Sequence, residues 1–141
     1  YRNALVDNTS AYAISNVMTN VATTLYVCFS DDATVDPLDS HVFISSYATS
    51  ENPAFAAKLV LGSVTSGTVA TGVVDAADAV FTGATVLTGA TSVESLIVFK
   101  FITNAAASPV LVHYGSATGL PLTPNGADVT IVWNASGMYS L

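Results

Sequence analysis

The sequence predicts an all-β fold, an antiparallel β-sandwich or partly closed barrel with at most one or two short helices. Short apolar runs rich in β-branched and aromatic residues recur at close spacing, and Gly, Pro, Asn and Asp punctuate them. Between residues 59 and 133 the segments leave no room for the crossover helices, about a dozen residues each, that a parallel sheet requires. Roughly seven to nine short strands are expected in one domain spanning residues 1–141.

Residues 1–8 open the chain as an arm. Ala11, Ile14, Val17, Met18 and Val21 then recur at helical spacing, with Thr9 or Ser10 available as a cap, although Asn16, Thr19, Asn20 and Thr23 are weak helix formers. Residues 1–22 are therefore expected to be an arm or a short helix leading into the domain. The first strand is expected at 23–29, followed by a polar acidic loop at 30–41. A short strand is expected at 42–46. Residues 50–58 have the order of a helical turn or two, with Ser50 or Asn52 as cap, Glu51 near the positive end and Pro53 at the first helical position.

The segments 59–61, 68–70, 72–74 and 79–82 read as meandering strands. Thr82-Gly83-Ala84-Thr85 recurs as Thr88-Gly89-Ala90-Thr91, but two copies do not make a solenoid. The strongest signal lies at 92–133. Runs 96–102 and 110–114 form an expected hairpin with a loose loop between them. Pro121, Pro124 and the Asn125-Gly126 pair predict an ordered, extended connection, because proline fixes φ and glycine tolerates positive φ. In 128–133, Val129, Ile131 and Trp133 share one face and Asp128 and Thr130 the other, the period of a half-buried strand. Leu96, Val98, Leu111, Val129, Ile131 and Trp133 are the expected core. Residues 136–141 are expected to pair as a final edge strand.

A globule of 141 residues buries about two-thirds of its unfolded surface, enough for a core without staples. Cys28 is the single cysteine and sits inside an apolar run with no positive charge nearby in sequence, so it reads as a buried small hydrophobe. Charged residues make up only 9% of the chain, against about 25% in an average domain. Such a deficit fits a surface of Ser, Thr, Ala and Gly, or one covered by other subunits. Three basic residues, Arg2, Lys58 and Lys100, stand against ten acids, which disfavours nucleic acid as a partner. The apolar runs are far shorter than the 20 or so residues of a spanning helix, and the first residues do not resemble a signal peptide; no membrane partner is expected.

Candidate chemistry is sparse. Asp31, Asp32, Asp36, Asp39 and His41 form the one cluster with calcium-like donors, but their spacing matches no standard calcium loop, and a solvated acidic loop is the simpler reading. Asp75 and Asp78 read as a turn whose side chains bond local N–H groups, not as an acid–base pair. His113 is placed on the same strand face as Leu111. Ser116 follows three residues on, in Gly115-Ser116-Ala117-Thr118-Gly119, which is not the order of a nucleophile elbow. The glycosylation-type triplets at Asn8 and Asn134 are common by chance. No catalytic, cofactor-binding or metal-ligating residues are expected, and no cofactor.

The run 117–133, ATGLPLTPNGADVTIVW, preceded by ESLIVF at 94–99 and DAADAVFT at 75–82, resembles a group of small structural proteins of tailed bacteriophages. The resemblance implies a virion protein without catalytic residues, assembled in the host cytoplasm. With the acidic charge, it implies a decoration or cement subunit on the outer face of the head, whose partners are the major capsid protein and copies of itself. A tail or tail-tube component is the alternative. A carbohydrate-binding adhesive β-sandwich, with Tyr114, Trp133 or Tyr139 as stacking platform, is the second.

Overall fold

The computed structural model describes residues 25–36, 38, 40–49, 55, 57–66, 73–83, 90 and 92–140. The arm or helix expected at 1–22, most of the helical turns expected at 50–58 and the strand expected at 68–70 lie outside them, as does most of the six-residue repeat.

The chain forms β1 (Leu25–Ser30), β2 (Lys58–Val60), β3 (Thr65–Ser66), β4 (Val73–Asp75), β5 (Ala79–Phe81), β6 (Ser95–Lys100), β7 (Val110–Tyr114), β8 (Val129–Ile131) and β9 (Tyr139–Ser140). The fold is all-β, with antiparallel pairing throughout. Four strands make a central sheet in the order β2-β1-β6-β7, flanked by a three-stranded sheet, β3-β4-β9, and the pair β5-β8. Among the described residues no sheet closes into a barrel.

The middle of the central sheet is covered on both faces, which explains why β1 and β6 read as continuous apolar runs rather than alternating ones. Leu25, Val27 and Phe29 of β1, with Leu96 and Val98 of β6, join Val74, Phe81 and Ile131 of the flanking strands, and Met138 just before β9, in one core. Cys28, Ile97 and Phe99 point the other way and pack with Ile44, Tyr47 and Val110 in a second. Burial of each such large side chain contributes about 1.5–3 kcal/mol of transfer free energy. The Phe29 and Phe81 rings meet across the first core with centroids 4.9 Å apart.

The hairpin of β6 and β7 is present, but its loop is pinned, not loose. Ala105–Ala107 forms a 3-10 turn, and Asn104 Oδ1 accepts from Ala107 N at 3.0 Å. The buried Ser108 hydroxyl donates to Asn104 O at 2.6 Å and accepts from Ile102 N at 3.1 Å. The strand expected at 42–46 is a single bridge, Phe43 to Pro109, followed by a 3-10 turn at Ile44–Ser46. The bridge is framed by Val110 N to Val42 O and Ile44 N to Ser108 O, each 2.9 Å, and the 3-10 turn that begins at Ile44 takes the chain out of the ladder.

Val98 pairs with Val112 and Phe99 with Val110, leaving Leu111 as the extra residue of a β-bulge. That shift corrects the expected facing: Leu111 and Val112 lean on the first core, while His113, opposite Ile97, turns to the other face. Of the six expected core residues, Leu96, Val98 and Ile131 are buried. Leu111, Val129 and Trp133 are half-buried and pack against the core from its margin. The expected connection at 120–126 is ordered: its Leu120–Pro121 bond is cis, Leu122 bridges to Val93, and Gly126 has φ +83°. The tail also pairs as expected, with β9 against β4. It turns in through Gly137 at φ +100°, where a side chain would strike Val73 and the Val74 carbonyl.

Candidate functional site

β1 ends in the buried Ser30 and delivers Asp31 and Asp32 to the edge of the second core. Asp31 folds back on its own loop, its carboxylate accepting from Thr34 N at 3.1 Å. Asp32 is held from the neighbouring strand: its N–H donates to Glu94 Oε2 at 2.9 Å, and its Oδ1 accepts from Ser95 Oγ at 2.6 Å. Because the bulge turns His113 to this face, its Nε2 lies 3.5 Å from Asp32 Oδ2, with both side chains largely enclosed. The contact is long for a hydrogen bond, so Ser95 is the tighter hold on the carboxylate.

Burial alone would raise the Asp32 carboxyl. The close approach of His113 and its charge, with the hydrogen bonds from Ser95 and Ser30, outweigh it and hold the group below the usual carboxylate range. The His113 ring stacks on Tyr47 at 6.2 Å between centroids and 19° between planes, and His41 meets Tyr47 edge-on at 5.3 Å. An acyl-transfer relay requires the serine to give its proton to the histidine. Here the Ser95 hydroxyl donates its hydrogen bond to Asp32 and not to the histidine, and His113 approaches the same carboxylate, so the set anchors the acidic loop to the sheet.

The other candidates are dispersed. Ser116 lies in the exposed turn after β7. Asp36 is exposed, His41 Nδ1 accepts from Leu38 N at 3.4 Å, and Asp39 lies outside the described residues. Among the described residues no three His, Cys, Asp or Glu side chains converge to hold a metal. Asp75 caps Ala76 N at 2.9 Å, a local bond as expected. Asp78 instead reaches across the fold to Trp133 N at 3.1 Å. Cys28 is fully buried, and burial pushes its thiol well above the ordinary range. The cation absent nearby in sequence is present in space: Lys58 stands opposite Cys28 in β2 and lowers the thiol only partly.

A cleft of about 170 Å³ opens between the end of β7 and the chain after β8, lined by Leu96, Tyr114, Ile131, Trp133 and Met138 among others. Tyr114 and Trp133, two of the three expected platform residues, meet there with ring centroids 6.3 Å apart and a 45° tilt. The Tyr114 hydroxyl donates to Met138 O at 2.5 Å, and burial pushes the phenol up to about 12. The indole N–H donates to Ala77 O at 3.1 Å.

Sequence reasoning missed two groupings: Asp32 with Ser95 and His113, and the cleft. The signal for the first was a polar residue beginning each apolar strand run or ending it, Ser95 before Leu96 and Ser30 after Phe29, but only the strand register joins them. No family model and no curated protein matches the chain. Among the described residues no helix is long and apolar enough to cross a membrane.

Proposed function

We propose that this protein is a structural subunit of a tailed-bacteriophage virion that adds to the outer face of the head and reinforces it. The observation that supports the reading best is its charge-poor, strand-built exterior. On the outward side of the β5-β8 pair, Val80 is 46% and Val132 71% exposed, with the exposed Thr130 between them, and Val60 on the edge strand β2 is 53% exposed. Associating such a surface avoids the penalty of burying unpaired ions. The strand edges also offer backbone donors and acceptors to a neighbour.

The partners in this reading are the major capsid protein and further copies of the chain, with neither nucleic acid nor membrane. Many weak contacts repeated over a shell reinforce it, because each bridging subunit must be released before its neighbours separate. Of the two termini, the tail is less suited to be a strand-donating arm, since β9 already pairs with β4 of its own fold. In this reading Asp32 and His113 are structural and carry no reaction.

The test is copy number by mass spectrometry on purified particles, with imaging and the temperature of DNA escape before and after selective removal of the protein. Hundreds of copies on the head and earlier DNA escape without them are expected. Location along the tail alone, or unchanged heat resistance, would reject the head assignment in favour of a tail component.

A further inference from the structure

The geometry points to the Tyr114–Trp133 cleft as a binding site for one apolar aromatic ring, of about the size of benzene or toluene. This goes beyond the virion reading and stands whether or not that reading holds. Its volume, about 170 Å³, accommodates such a ring: an engineered apolar cavity of about 150 Å³ in another protein takes up benzene.

Its chemistry selects against polar ligands. The lining residues are Leu, Tyr, Ala, Ile, Val, Trp, Asn, Gly and Met, none of them charged. Three of the polar groups that line it are committed to the fold: Tyr114 Oη to Met138 O, Trp133 Nε1 to Ala77 O, and Asn134 Oδ1 to Ser136 N at 2.8 Å. A sugar ring would lose the hydration of its hydroxyls and find these partners already taken, a net cost. An aromatic ring brings no polar group to satisfy and meets aromatic faces and methyl groups.

The same bonds keep the cleft from collapsing. Trp133 is fixed at two points, through its ring N–H to Ala77 and its backbone N–H to Asp78. The opposite wall is held by Tyr114 on Met138 and by Met138 N on Val74 O at 2.8 Å. A ring seated beside this aromatic pair, against walls already held in place, therefore pays little to order its site.

The experiment follows the isotope-labelled full chain by NMR, using the indole N–H of its one tryptophan as reporter. Toluene, methyl glucoside and a short Ser/Gly peptide carrying one Phe are titrated separately. Toluene is expected to shift the Trp133 indole resonance and the Gly137 and Met138 amides saturably, with half-saturation on the order of 1 mM. Methyl glucoside is expected to leave them in place. A matching shift with the peptide assigns the ring to a partner's side chain, and a shift with toluene alone to a free small molecule. Ala117→Leu, which fills the cleft, and Ala117→Asp, which sets a carboxylate in its wall, are each expected to weaken toluene binding roughly ten-fold. Glucoside shifting these resonances in place of toluene, no saturable shift with toluene, or toluene binding unchanged in both variants would overturn the proposal.

Discussion

Asp32 and His113 are far apart in the chain, yet His113 Nε2 lies 3.5 Å from Asp32 Oδ2, and Ser95 closes on the same carboxylate from β6. The acidic loop is thereby tied to β6 and β7 of the central sheet. The folded-state pKa of Asp32 is lowered, so the stability it contributes is complete above the unfolded carboxylate value, near 4, and is lost as pH falls through the folded value. Thermal melting from pH 7 downward is expected to fall on the acid side below about pH 4 in the natural protein and to fall less steeply in Asp32→Asn. Equal acid slopes in the two proteins would exclude Asp32 from this role.

Phe81 is fully buried against Phe29, whereas Trp133 sits at the margin of the same core. Phe81→Ala is expected to cost about 3–5 kcal/mol, and Trp133→Ala less, because part of the indole already faces solvent and its loss opens a smaller cavity. Denaturant unfolding of the two variants checks the order; a larger loss at Trp133 would place the indole inside the core.

The strands at 25–30, 79–81 and 95–100 and the alternation of Val129, Thr130 and Ile131 were legible because apolar period and turn residues act locally. The bulge at Leu111 was not. A strand sequence does not reveal which residue its partner leaves unpaired, and that one residue decides whether His113 faces Leu111 or Asp32. For the same reason Ser95, Asp32 and His113 looked unrelated: their meeting depends on the register of β1, β6 and β7 together. Trp133 followed the strand period correctly, but its degree of burial depends on the returning tail, whose path turns at Gly137.

Cys28 is fully enclosed in the second core, and its thiol is held well above the ordinary range by burial. Thiolate is the reactive form, so thiol reagents at pH 8 are expected to label the chain only as fast as it unfolds. Labelling in the folded state at the rate of a free thiol would mean that the face covered by Ile44 and Tyr47 opens readily.

Val80 and Val132 project from the outer side of the β5-β8 pair, away from the partner faces that bury Ala79, Phe81 and Ile131. A change there alters the surface without touching the core, so Val80→Lys and Val132→Lys are each expected to shift stability by no more than about 0.5 kcal/mol. If this face meets the capsid, association must strip water from the new ammonium group, and the penalty recurs at every bound copy. Binding of the double variant to particles lacking the protein is therefore expected to weaken at least about ten-fold, with melting temperature little changed. Sedimentation of particles with labelled protein reads both bound fraction and saturation. Full binding by the folded double variant would move the contact to another surface, with the edge of β2 at Val60 the next to be changed.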